Sequence, residues 1–489
     1  MLTNLRLGFA TNSSSTHSIV HIAGGSGDSN VHDGFGWNMF TAGSKEAKLA
    51  WLAHQVLSAL PRSLPEDAGR AAVIKLLDLD FDPFADYEGV DHQSIMSMPM
   101  ERGGWGELYL SKAFLADLSE YLANPDVVVL GGNDNDDEEH DLYDADEEQS
   151  IPLPKDSRFK DGQLLCRKEK DKMWTVFNRV DGTRVTFDLG SARVKNTTGL
   201  EKTATPLLVD LKITDWCDMG CAFCYQGSTT EGRHAPINRL KNIVVALSQL
   251  EVFEVAIGGG EPTAHPNFLE ILSKLAYYDI TPNFTTRSLK WLKDKKAALK
   301  ILSYVGGVAF STENPDQVKK VIEIFRGLDA LYLKDGGSHE LRPTTKLTFQ
   351  FVVGATTMET LKGLLKVCRR NYKRATLLGY KTTGRGSDVT PYDTRGLVEM
   401  LASLDAYSLP TLGIDTALAK QFKDELDSKD VPWQLYQVDE GLVSMYWDAV
   451  EDKIGPSSYC EPSKMVPVSM RDYYAGDSVR VIKEHFATW

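Results

Sequence analysis

Cys217-Asp218-Met219-Gly220-Cys221-Ala222-Phe223-Cys224-Tyr225 follows directly on the apolar stretch 207–213. Three thiols in one short loop after a β-strand point to a metal site, because thiolates are soft ligands that select iron–sulfur clusters, zinc or copper. A structural zinc site closes itself with four ligands, and no His or Cys stands at a suitable spacing to complete one. A thioredoxin-like pair of Cys221 and Cys224 leaves Cys217 without a role. A four-iron cluster normally takes four cysteines, yet the next one in the chain is Cys368. Cys217, Cys221 and Cys224 can therefore hold three corners of a cluster and leave the last iron open to a substrate or cofactor.

Outward from this loop, strands and helices alternate. Strands are expected over 207–213, 253–257, 283–286, 307–311, 347–353 and 375–379, with helices over 237–250, 267–278, 289–302, 316–328 and 358–368. Six such units imply a parallel sheet curled into a partial barrel, with ligands at the C-terminal ends of its strands. The second strand runs into Gly258-Gly259-Gly260-Glu261-Pro262-Thr263. A glycine run lets backbone approach a small ligand closely, and the Glu261 carboxylate suits an ammonium group. His265, next to Pro266, reads as the start of a helix.

A Cys-x3-Cys-x2-Cys loop after the first strand of a β/α barrel, with Phe223 and Tyr225 beside the last cysteine and a Gly-Gly-Glu segment after the next strand, resembles the radical S-adenosylmethionine (SAM) superfamily. The resemblance covers roughly residues 205–386. It implies a partial (β/α)6 barrel, a [4Fe-4S] cluster on the three cysteines and SAM on the open iron. It further implies reductive cleavage of SAM to a 5′-deoxyadenosyl radical that abstracts hydrogen from a substrate. Gly258, Gly259, Gly260 and Glu261 would meet the amino group of SAM. Arg287, Ser311 and Glu313, at the third and fourth strand ends, would face its ribose and carboxylate. Leu378 and Tyr380, at the sixth, would hold the adenine. Gly384-Arg385-Gly386 reads as a flexible ligand-facing loop.

The flanks carry less information. An α/β domain is expected over 1–133, a linker over 134–150, a β-meander over 151–204, the barrel over 205–400 and a C-terminal extension over 401–489. Helices are expected over 44–60 and 108–122, strands over 19–22 and 126–132, and a hairpin turn at Asp181-Gly182. Ten of the acidic residues lie between Asp134 and Glu148, so of the net charge of −14 only −4 remains elsewhere. Such a run reads as a solvated linker, and it lacks the spacing of a calcium-binding loop. No basic, aromatic-interleaved patch points to nucleic acid. No 18-residue apolar window or signal peptide is present, so no membrane association and a cytoplasmic location are expected.

Six cysteines include only Cys166, Cys368 and Cys460 beyond the trio, too few for a second four-cysteine cluster. Cys460 is a candidate catalytic thiol, with a buried structural cysteine as its plainer reading. Asp415 and Asp448 are candidate substrate contacts. The segment 7–15 weakly resembles a leader found on unrelated bacterial and phage proteins, which would make it a tag or a site of modification. A reductant such as a flavodoxin or ferredoxin is the expected partner. The substrate is expected to be a peptide or protein side chain, the alternatives being a small metabolite or nucleotide, or a non-catalytic SAM-binding sensor.

Overall fold

The computed structural model describes residues 202–339, 341–403, 412–429, 440–468 and 476–489. Toward the N-terminus it describes 40–60, 64–87, 98–102, 108–132, 164–180 and 182–190, with the short pieces 4–5, 16–21, 29, 31, 34–35 and 89–90. The acidic run, residues 7–15 and Asp181 lie outside the described residues. The chain divides into two units: 1–103 with 107–199, and 104–106 with 200–489.

The first unit contains two sheets. Asn4–Leu5, Thr16–His21, Val127–Gly132 and Phe40–Ala42 form an antiparallel set of four. Leu164–Lys170, Met173–Asn178 and Arg184–Asp188 form the expected meander, extended by Met100–Arg102 and Leu108–Leu110 into five strands. Lys45–Ala59 is helical as expected, capped by Ser44, whose side chain accepts from Ala47 N. The helix expected over 108–122 is divided. Leu108–Leu110 pairs as a strand, and the buried Ser111 caps a helix that begins at Lys112, its hydroxyl accepting from Phe114 N at 2.9 Å. Serine competes well for backbone donors at this position and so restarts the chain as a helix. Trp51, Phe114 and Trp174 are fully buried in this unit's core.

In the second unit eight parallel strands form one sheet: β1 Leu208–Thr214, β2 Glu254–Gly259, β3 Thr281–Thr286, β4 Gly307–Ser311, β5 Leu347–Val352, β6 Arg374–Leu378, β7 Leu412–Ile414 and β8 Ser444–Asp448. Their order is β7-β6-β5-β4-β3-β2-β1-β8, and Lys453–Gly455 and Val466–Pro467 add antiparallel strands beyond β8. β7 and β8 do not pair, so the barrel is open. The crossover helices are α1 Ile237–Gln249, α2 Phe268–Tyr277, α3 Lys295–Tyr304, α4 Pro315–Lys334 and α5 Met358–Arg370. Their starts are written locally. Asp294, Asn314 and Thr357 cap α3, α4 and α5 by accepting first-turn N–H groups, and Pro315 sits at the first position of α4. The Asp294 cap splits the expected helix 289–302 into a 3-10 turn, Lys290–Leu292, and α3.

The strands alternate in what they bury. Val209, Leu211 and Ile213 of β1, Val255 and Ile257 of β2, and Phe349 and Phe351 of β5 join the core under the helices. α5 answers with Leu361, Leu364, Leu365 and Cys368, the i, i+3, i+4, i+7 stripe of an amphipathic helix. Burying each such side chain is worth about 1.5–3 kcal/mol. The residues between them face the lumen and are polar: Asp210 and Lys212 of β1, Asn283 and Thr285 of β3, Gln350 of β5. Asn283 Nδ2 donates to Glu254 Oε2 at 2.9 Å, and Thr285 Oγ1 to Gln350 Oε1 at 3.3 Å. A parallel sheet covered on both faces reads as a continuous apolar run, whereas these strands alternate because their inner face is wet.

Candidate active site

The cysteine loop leaves β1 at Thr214 and returns toward α1 as a flattened hairpin. Asp215 N donates to Arg233 O at 2.8 Å, and Cys217 N to Thr229 O at 2.9 Å. Inside it, Cys224 N donates to Cys221 O, Gly227 N to Cys224 O, and Gly220 adopts a φ of +65°. All three thiols are free and half-buried. Met219 N donates to Cys217 Sγ at 3.5 Å, a bond that favours the thiolate. Burial holds the Cys217 thiol above its ordinary range, that amide opposing it. Burial does the same to Cys221, opposed by the Arg287 charge. Metal binding at this loop must therefore release protons.

The glycine run packs against the start of this loop. Gly260 N donates to Thr214 O at 2.7 Å, and Glu261 N to Trp216 O at 2.8 Å. A Cβ at Gly259 would lie 2.3 Å from Thr214 O, and one at Gly260 2.1 Å from Trp216 O. Gly259 also needs a φ of +122°, accessible essentially to glycine alone. These two glycines are thus required by the chain's own backbone, while Gly258 faces open space.

Glu261 differs from the sequence expectation. Its carboxylate is 2% exposed and accepts from Thr263 N, Thr263 Oγ1, Thr286 Oγ1, Arg287 N and Ser288 N at 2.6–3.2 Å. It clamps the β2 and β3 ends together, so its side chain has no lone pair to spare for an ammonium group. Arg287 and Glu313 form a two-pronged ion pair, with Nη1 to Oε1 at 2.8 Å, and the guanidinium lies 5.4 Å from the Phe223 ring. They meet each other at the strand ends beside the cysteine loop. Ser311 is buried at the end of β4 and its hydroxyl makes no hydrogen bond. Leu378 ends β6. Tyr380 is buried, its hydroxyl donating toward Gly386 O and Val389 O. His265 is buried with Nε2 on Ala235 O and Nδ1 accepting from Asn267 N, which agrees with its helix-start reading.

Sequence reading took residues 384–386 for a flexible loop. The structure shows a 3-10 turn, Gly384–Asp388, that grips the cysteine loop. Arg385 N donates to Cys224 O at 2.9 Å, Nε to Cys221 O at 3.0 Å and Nη1 to Ser228 O at 2.8 Å, and Thr383 Oγ1 donates to Tyr225 O at 3.1 Å. No motif signals this role. Asp415 and Asp448 have structural partners. Asp415 accepts from Gly379 N and Leu418 N, and Asp448 takes Lys212 Nζ at 2.9 Å and the Val450 and Glu451 amides. Cys460 lies against Gly455, and burial pushes its thiol up.

The sequence profile of the Radical SAM superfamily matches residues 211–330, the stretch from β1 into α4 that carries the cysteine loop and the glycine run. This stretch of the chain is of the radical SAM type. Curated relatives include the mycofactocin maturase MftC of Mycobacterium tuberculosis, 28% identical over 104 residues, 20% of this chain and 26% of the relative. A probable GTP 3',8-cyclase of Pyrococcus horikoshii is 31% identical over 94 residues, 18% of this chain and 30% of the relative. The PqqA peptide cyclase of Rhodopseudomonas palustris is 27% identical over 96 residues, 19% of this chain and 26% of the relative. The chain thus spans less than a third of the length of these curated relatives.

Radical SAM proteins use a [4Fe-4S] cluster and SAM, and the residues present fit both. Among the described residues, no three His, Cys, Asp or Glu side chains converge on a point that one ion could occupy. Three free thiols in one loop suit a cluster with one exchangeable corner. No described helix is long and apolar enough to cross a membrane.

Proposed function

We propose that this radical SAM protein is an enzyme that abstracts a hydrogen atom from a peptide or protein side chain. When bound, the cluster and SAM supply the chemistry: one electron cleaves SAM to methionine and a 5′-deoxyadenosyl radical. Cys217, Cys221 and Cys224 hold the cluster, and Arg385 and Thr383 hold the loop that presents them. The backbone at Gly258 and the Ser311 hydroxyl are the groups left free to meet SAM. Glu261, Arg287 and Glu313 brace the strand ends around it, and Leu378 with the Tyr380 backbone forms the wall beyond. The observation that carries this reading is three free thiols in one loop at the C-terminal mouth of a polar-lined partial barrel.

The peptide reading draws support from the likeness to a peptide cyclase. The likeness to a GTP cyclase favours a second reading, a small nucleotide substrate. A low-potential donor such as a flavodoxin or ferredoxin would supply the electron. The test is anaerobic reconstitution with iron and sulfide, then reduction with SAM and deuterated candidate substrates. Deuterium in 5′-deoxyadenosine is expected. Iron binding that survives Cys→Ala at any of the three thiols, or SAM that stays intact under reduction, overturns the reading.

A further inference from the structure

Below the mouth of the barrel one carboxylate has no hydrogen-bond or ion-pair partner among the described residues. Asp210 lies in the middle of β1 with its side chain in the lumen, between the outward-facing Val209 and Leu211. Its residue is solvent-exposed, on the lumen side of the strand. It makes no hydrogen bond and no ion pair. Its cross-strand neighbours are Ala256 on β2 and Tyr446 on β8.

The charges around it are otherwise matched. Lys381, just past β6, places its ammonium 4.0 Å from Asp415 Oδ2 and 4.5 Å from the ring centroids of both Tyr225 and Tyr459. Glu440 is paired with Lys420 at 2.6 Å, and Asp448 with Lys212. Tyr225 OH donates to Ser458 Oγ at 3.1 Å, tying the cysteine loop to the segment that carries Tyr459. What remains is one negative charge in a chamber walled by tyrosines. Lys381 shows how this chamber holds a cation: between aromatic faces, with a carboxylate at the rim.

We propose that Asp210 is a specificity-determining residue that receives a basic side chain of the substrate inside the barrel. This rests on the peptide reading and names the kind of peptide. A guanidinium suits the place better than an ammonium, because it is planar, less strongly hydrated and stacks on aromatic rings. An acidic group there would meet the unpaired Asp210 charge and be rejected.

Protonation gives an independent handle. Burial raises the Asp210 carboxyl to about 6, with Lys381 pulling it down and Asp415 pushing it up. Burial also raises Asp415, Tyr446 and Tyr459, the other titrating groups that face it. A basic side chain should therefore bind better as pH rises through that value, and Asp210→Asn assigns the change to this carboxyl.

The experiment is selection of a displayed random peptide library on anaerobically reconstituted, SAM-loaded protein, at about pH 5 and about pH 8. Iron content and SAM binding of each variant establish that it is folded. The wild type should enrich Arg and Lys by about tenfold at the higher pH, the size expected of one charge-assisted hydrogen bond, and less at the lower. Asp210→Asn should lose the enrichment and its pH dependence, and Asp210→Lys should favour Asp and Glu. Peptides retained without a basic preference, or a preference that Asp210→Asn keeps, overturn this proposal alone. A library from which nothing is retained while SAM still binds overturns the peptide reading and this proposal with it.

Discussion

Replacing Arg385 with Ala should weaken the hold on the cluster without touching a cluster ligand. The guanidinium donates to Cys221 O at 3.0 Å and to Ser228 O at 2.8 Å, on the two limbs of the cysteine loop. Hydrogen bonds from charged donors are worth about 1.5–3 kcal/mol each. Arg385 is only half-buried, so the lower end applies and the pair contributes about 3 kcal/mol. If that energy holds the loop in its binding-competent form, its loss lowers the competent fraction and the apparent cluster affinity by about 100-fold. The backbone bond from Arg385 N to Cys224 O survives the substitution, so the turn itself should persist. The assay is iron release to a chelator from reconstituted protein under anaerobic conditions, with far-ultraviolet circular dichroism to establish that the fold is intact. Arg385→Lys keeps the charge but not the two-pronged geometry, and should fall between wild type and Ala. Equal iron release from wild type and Arg385→Ala, at unchanged dichroism, would refute the clamp.

Glu261→Gln should lower the stability of the C-terminal unit by about 2–4 kcal/mol, read as a drop in Tm, because an amide NH2 then faces backbone N–H groups that need an acceptor. Gly260→Ala should prevent the β2 turn from docking on Trp216 O and abolish cluster incorporation, read as iron content of the purified protein. His54, buried between Phe35 and Phe84, has its pKa lowered to about 4, chiefly by burial. The unfolded chain takes up its proton near 6.5, so about 3 kcal/mol of stability should disappear as pH falls from 6.5 to 4, and His54→Leu should flatten that stretch of the denaturant-derived stability curve. Asp210 has the opposite sign. Its folded value of about 6 lies above the unfolded 3.8, so ionisation penalises folding above pH 6 and costs nothing below 3.8. The shift corresponds to about 3 kcal/mol, and lumen water reduces this to about 1 kcal/mol. Asp210→Asn should accordingly raise Tm at about pH 8 and leave it unchanged at about pH 3.5.

The barrel was legible because each unit repeats a local grammar: an outward apolar stripe, a cap such as Asp294 or Thr357, and a helix with apolar residues at helical spacing. The three thiols were legible because no apolar environment needs three cysteines in one loop. Two residues, Glu261 and Arg385, show a common ambiguity. Residue types that can serve a ligand can equally serve the fold. Glu261 was taken for a ligand's partner and is saturated by five donors from its own chain; Arg385 was taken for part of a mobile loop and holds three carbonyls of its neighbour. Sequence shows which atoms are available, and only tertiary structure shows which of them are already engaged.

That distinction also explains why Asp210 escaped notice. In 207–213 it is one of two charges, with Lys212, within an apolar run, which sequence alone presents as interruptions of a buried strand. The sheet turns Val209, Leu211 and Ile213 toward the helices, and Asp210 must then point the other way. A carboxylate there costs folding energy, and every neighbouring charge has found a partner while this one has not. An unpaired carboxylate with a shifted pKa in a lumen is a candidate ligand contact. On the reading proposed above, a basic side chain of the substrate relieves that cost.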